Sequence, residues 1–126
     1  MRNIEFRGFN YCTKTWSYAA LKHIIEDQKY NPIEYFKVDP DTITQNTGMK
    51  DRNGKDIFEG DIVKVYPPYE SISDVVGVIE YDNSNAMFRV ELKNWSYMVS
   101  ASSPYQFEVI GNIFENPELL SWERPF

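Results

Sequence analysis

The stretch Asp51-Arg52-Asn53-Gly54-Lys55-Asp56, followed by Ile57-Phe58-Glu59-Gly60-Asp61-Ile62-Val63-Lys64-Val65-Tyr66, reads as a turn delivering a strand. Asn-Gly accepts the positive φ that tight hairpin turns demand, and the β-branched run after it favours extended backbone. Asp51 and Asp61 are expected to accept hydrogen bonds from backbone amides of neighbouring turns. A turn of this kind fixes the register of the strand from Ile62, with Ile62 inward on one register and Val63 and Val65 on the other. Gly54→Val is therefore expected to harm folding before it harms any activity.

Working outward, Ile4, Phe6, Gly8 and Phe9 suggest a first short strand that turns at Phe9-Asn10. Trp16 to Gln28 supports two readings: Trp16, Tyr18 and Ala20 alternate as in a strand, whereas Ala20 with Ile24 and Leu21 with Ile25 sit at helical spacing. Asn31-Pro32 breaks the chain, Ile33, Tyr35 and Val38 suggest another strand, and Asp39-Pro40-Asp41 turns it. Pro67-Pro68 ends the strand at Tyr66, and the loop from Pro67 to Asp74 is the expected mobile segment. Val75 to Tyr81, a turn at Asp82-Asn83-Ser84-Asn85, and Met87 to Leu92 make a meander, joined by Tyr97 to Val99 and Phe107 to Phe114. Asn116 as N-cap, Pro117 and Glu118 open a short helix that Leu119, Leu120 and Trp122 would dock. The fold expected is mainly β, a small barrel or sandwich with a short C-terminal helix. Residues 1–126 are read as one domain, with N-terminal strands in 1–50 and a barrel-like half in 51–126.

The 126 residues, 42% apolar and 16% aromatic, suffice for one core. A net charge of −6 is unevenly placed: residues 1–50 hold seven Lys/Arg against six Asp/Glu, and 51–126 hold six against thirteen. The acidic part would repel phosphate backbones, so nucleic acid is disfavoured as a partner. The start lacks the roughly 7 to 15 apolar residues of a signal-peptide core, and no apolar run approaches the roughly 20 needed to span a bilayer. A cytoplasmic protein without a membrane association is expected, and Asn94-Trp95-Ser96 is then a chance glycosylation sequon.

Candidate chemistry fails at each place tested. Asp51, Asp56, Glu59 and Asp61 gather carboxylates, but a calcium loop from Asp51 needs an oxygen ligand fifth, glycine sixth and glutamate twelfth, where Lys55, Asp56 and Ile62 stand. Asp39 and Asp41 flank Pro40 in an expected exposed turn, where carboxylates stay solvated. His23 is the single imidazole available to activate Cys12 or any serine, and Cys12 alone forms neither a disulfide nor a zinc cage. Cys12 reads as a small semi-buried hydrophobe and His23 as a surface or strand residue. Neither a nucleophile elbow nor a phosphate-cradling glycine loop is present. The expectation is no enzyme, no metal and no cofactor. Tyr66, Tyr69, Trp95, Tyr97 and Tyr105 fill the core or form a patch for a protein partner.

The run Val38-Asp39-Pro40-Asp41-Thr42-Ile43, with Gln45-Asn46-Thr47-Gly48-Met49-Lys50 leading through the turn to Val63, closely resembles the YopX family. The resemblance extends to Ile4-Glu5-Phe6-Arg7-Gly8, Trp16-Ser17-Tyr18 and Val109-Ile110-Gly111-Asn112-Ile113-Phe114-Glu115-Asn116-Pro117-Glu118-Leu119-Leu120. It implies a small β-rich protein of a bacteriophage or prophage, acting in the bacterial host cell, with no catalytic residues to carry over. It also tips Trp16 to Leu21 toward strand, with Ala19 standing where the family implies a glycine. Glu59 to Val65, Gly77-Val78-Ile79 and Phe88-Arg89-Val90 further resemble the opening strands of SH3-like barrels. The expected role is a non-enzymatic accessory protein that binds, by forming a homo-oligomer or by contacting a host or phage protein. The alternative is a nucleic-acid-binding barrel using Arg2, Arg7, Lys14, Lys22, Lys29 and Lys37.

Overall fold

The computed structural model describes residues 4–20, 37–66, 75–92 and 106–120, together with the backbone of 96–98. It is mainly β, in two compact units, Met1–Asn46 and Thr47–Phe126.

In the first unit β1 (Glu5–Asn10) and β2 (Thr15–Ala20) pair antiparallel, with Phe9 opposite Trp16 and Phe6 opposite Ala19. Their connecting turn closes through Lys14 N–H to the Asn10 carbonyl at 2.8 Å. Asn10 Oδ1 takes the Cys12 and Thr13 amides, so the side chain before the turn satisfies donors that no strand reaches. The strand reading of Thr15 to Ala20 therefore holds, and Ala19 sits in extended backbone, where alanine carries no penalty. The remainder of the Trp16 to Gln28 question, and Ile33 with Tyr35, lie outside the described residues. Val38 is at a bend, not in a strand, and closes over Gly8, where any Cβ would collide with its side chain. Asp39 begins the expected turn, a single 3-10 turn over Pro40–Thr42. The fully buried Thr42 hydroxyl accepts the Phe9 amide at 2.8 Å and donates to the Asp39 carbonyl at 2.6 Å, tying that turn to β1.

β3 (Thr44–Lys50) starts beside β1 and continues past Asn46 to lie beside β4 (Asp56–Phe58), giving the order β2-β1-β3-β4. The second unit holds a five-stranded antiparallel sheet of β5 (Asp61–Tyr66), β6 (Val75–Asp82), β7 (Met87–Glu91), β8 (Ser96–Met98) and β9 (Gln106–Asn112). Its order is β8-β7-β6-β5-β9. Val63, Val65, Ile79, Val90 and Phe107 present one apolar face, and Ile57 of β4 packs on it with Met49 of β3 at the margin. That is the two-layer packing of a sandwich; among the described residues no pairing joins β8 to β9, so no closed barrel forms. Each buried β-branched side chain contributes about 1.5–3 kcal/mol.

The two registers expected from Ile62 do not compete, because Ile62, Val63 and Val65 are all buried. Opposite them the pairing passes from Ile62–Gly111 to Val63–Val109, leaving Ile110 as an extra residue in β9, a β-bulge. Over the described residues the expected short C-terminal helix is one 3-10 turn, Pro117–Leu119. Asn116 stands at its N-cap position but makes no side-chain cap bond; its Oδ1 instead accepts the Asn112 amide at 3.2 Å, and Leu120 after the turn is in extended backbone. Trp122 and the Pro67 to Asp74 loop lie outside the described residues. Among those described, no helix is long and apolar enough to cross a membrane.

Candidate functional site

The Asp51 to Lys55 turn is densely hydrogen-bonded, within itself and to β9. It closes by Asp51 N–H to the Lys55 carbonyl at 2.7 Å and Gly54 N–H to the Asp51 carbonyl at 3.0 Å. Gly54 carries the positive φ, +84°, while Asn53 stays at negative φ, so one residue of the Asn-Gly pair does what was expected of both. Asp51 Oδ1 accepts the Asn53 and Lys55 amides, each at 2.9 Å, as in an Asx turn. Its second oxygen leaves the turn altogether: Oδ2 accepts the Val109 amide of β9 at 3.0 Å. Beside it the Arg52 amide donates to the Phe107 carbonyl at 2.8 Å.

Side chains reinforce the contact. Glu108 accepts from Asn53 Nδ2 at 3.3 Å and from the Tyr66 hydroxyl at 3.1 Å, and the Arg52 guanidinium lies 4.1 Å over the Tyr66 ring. Asp51 is 8% exposed. Burial alone would push its carboxyl up, but the amides of Val109, Lys55 and Asn53 and the Lys55 charge outweigh this and hold it below the usual carboxylate range.

The other acids of the cluster do not join it. Asp61, 1% exposed, accepts the Phe58 amide at 2.8 Å, the turn role expected of it. Asp56 pairs with Lys50 on the exposed side of the β3–β4 hairpin. Among the described residues no three acids, cysteines or histidines stand where they would hold a metal ion. Asp39 is half-buried rather than solvated, because its Oδ2 accepts the Tyr11 amide at 2.8 Å; Asp41 is exposed. Burial first, then Asp41 and Asp39, raise the Tyr11 hydroxyl above its ordinary value.

Cys12 departs from expectation: it is exposed, since the four-residue turn between β1 and β2 carries it to the tip of the hairpin. His23 lies outside the described residues, as do Tyr69, Trp95, Tyr105 and the side chain of Tyr97. Of that aromatic set Tyr66 is described, and it belongs to the Asp51 turn. A second aromatic grouping, missed in the sequence, lies in the first unit. Phe9 meets Tyr11 edge-on at 5.5 Å and Trp16 at 4.8 Å, the Arg7 guanidinium is 4.3 Å over Trp16, and Lys14 is 6.0 Å from Tyr11. The pairing register of β1 with β2 was the signal that would have found it. Arg7 is 6% exposed and its Nε donates to Thr44 at 3.3 Å, so this member of the expected basic set is committed inside the fold. Lys14 and Lys37 are exposed; Arg2, Lys22 and Lys29 lie outside the described residues.

The model of the YopX protein family matches residues 5–121, which includes both 3-10 turns and the nine strands among the described residues. The crystal structure of protein EF1440 from Enterococcus faecalis is similar over 93% of this chain and 97% of that one, with a TM-score of 0.53 and 23% sequence identity, a likeness of fold. No curated protein matches the chain.

Proposed function

The chain belongs to the YopX family, and on that premise we propose a non-enzymatic bacteriophage or prophage accessory protein that acts by binding in the cytoplasm of its bacterial host. The observation that carries this reading is the use made of the acids. Asp39, Asp51, Asp61 and Asp82 each accept backbone amides in turns, so they serve as scaffold and not as acid–base groups. Among the described residues five large apolar or aromatic side chains are exposed, Tyr11, Tyr18, Tyr81, Ile110 and Leu119, with Tyr18 at 56%. Such side chains favour protein partners, through self-association or contact with a host or phage protein. Light scattering tests self-association: a symmetric oligomer at micromolar concentration is expected, and a monodisperse monomer there removes it.

A second reading, an SH3-like nucleic-acid-binding barrel, draws support from the order β8-β7-β6-β5-β9, a meander whose last strand returns beside its first. Against it stand the buried Arg7 and the acidic second part. Retardation of DNA or RNA that weakens steeply with added salt would establish this reading, and no retardation at low salt would sink it.

A further inference from the structure

We propose that the Asp51 to Lys55 turn is an edge guard, an autoinhibitory contact that occupies the outer side of β9 and keeps that strand from pairing with a strand of a second copy of the chain. One side of β9 is paired with β5 from Gln106 to Asn112. Phe107 and Val109 stand two residues apart, so their backbone groups point together to the opposite side. There the Phe107 carbonyl takes the Arg52 amide and the Val109 amide goes to Asp51 Oδ2. Without the turn, Phe107-Glu108-Val109-Ile110 would offer an aromatic and β-branched edge, the kind that templates strand addition.

The turn caps this edge and does not extend it. It supplies one amide and one carboxylate oxygen, while Asp51's other groups are consumed inside the turn: its N–H by Lys55, its carbonyl by Gly54, and its Oδ1 by Asn53 and Lys55. Glu108, bonded to Asn53 and Tyr66, pins the turn in place. The bulge at Ile110 then ends the regular edge just beyond. The guard concerns β9 alone and does not depend on whether the protein associates through other surfaces, because the measurement is a change relative to the wild type.

Asp51→Asn is the specific test. Asparagine keeps one oxygen for the Asn53 and Lys55 amides and sets an NH₂ group against the Val109 amide, breaking the edge bond and sparing the turn. Size-exclusion chromatography with light scattering should show the folded variant at about twofold the wild-type mass or more, at concentrations where the wild type keeps its own. Adding Ile110→Lys should return it to the wild-type mass, since a lysine on an exposed strand edge discourages strand addition. A folded Asp51→Asn that keeps the wild-type mass throughout, or a gain in mass that Ile110→Lys leaves unchanged, overturns the proposal. Should Asp51→Asn fail to fold, amide hydrogen exchange on the wild type decides. A Val109 amide protected like those paired in the sheet supports the guard, and one exchanging like an exposed edge amide overturns it.

Discussion

Two turns of the second unit begin with the same residue and end differently. Asp51-Arg52-Asn53-Gly54-Lys55 and Asp82-Asn83-Ser84-Asn85-Ala86 each use an aspartate to collect amides two to four residues on. Each then has one oxygen to spare. Asp82 spends it locally, on Asn85 Nδ2 at 2.8 Å and on Arg89 at 3.1 Å within the same hairpin. Asp51 sends its second oxygen 58 positions along the chain, to Val109. The first arrangement stabilises a hairpin; the second also holds a sheet edge. Identical local chemistry thus acquires a tertiary role through the placement of a single carboxylate oxygen.

The comparison breaks most visibly at the aspartates. Asp51→Ala removes the acceptor of three amides, one of them on the partly buried edge of β9, and should cost about 3 kcal/mol in urea unfolding. Asp82→Ala loses bonds that water replaces on an exposed hairpin, so its midpoint should shift by clearly less. Equal shifts would mean that the Val109 bond contributes nothing and that the two turns are equivalent.

Gly54→Val comes next. No atom lies within 4 Å of where its Cβ would stand, so the cost is conformational, from φ of +84°, and should reach about 2 kcal/mol. A Gly54→Val protein of unchanged stability would show that the turn adapts, and that its glycine serves contact with a partner and not the backbone.

Acid probes the same bonds more gently. The Asp51 carboxyl lies below its ordinary value in the folded state, so its contribution is present above the unfolded value of about 3.9 and is lost as pH falls through the lower folded one. Urea midpoints for the wild type should fall below about pH 4, and the fall should be shallower in Asp51→Asn. Parallel curves would place the acid-sensitive stability elsewhere, with Asp82, also held low by Asn85, Ser84 and Arg89, as the next to test.

Much of the fold was legible because it is written in local chemistry. The alternation at Val75 to Tyr81, the turn residues at Asp82 to Asn85 and the Asn53-Gly54 signal each act over a few positions, and each marks a real element. The carboxylates of Asp51 and Asp61 were legible as turn acceptors for the same reason. What could not be read depends on pairing across long separations. The reach of Asp51 to Val109, the burial of Arg7 under Trp16 and beside Thr44, and the bulge at Ile110 are set by register between strands, which one sequence does not print. The C-terminal turn shows the converse failure. Asn116-Pro117-Glu118 has good helix-start chemistry and does open a 3-10 turn, but the Asn116 side chain serves Asn112 across the preceding turn and caps nothing.

The smallest effect should come from the position that distinguishes the two turns most plainly. Where the Asp51 turn places Gly54 at φ of +84°, the Asp82 turn places Ala86 at φ of +52°. Alanine in the left-handed region costs about 1 kcal/mol, and Ala86 is exposed, so no packing offsets that strain. Ala86→Gly relieves it but gives the unfolded chain more freedom, about 0.4–1 kcal/mol in the opposite sense. The net gain should be about 0.5 kcal/mol or less, read as a small rise in midpoint with the slope unchanged. Gly54→Ala should lose stability at the positive-φ residue of the Asp51 turn. If Ala86→Gly instead destabilised the protein, the Asp82 hairpin would be drawing on an alanine contact, and the two turns would differ in packing as well as in reach.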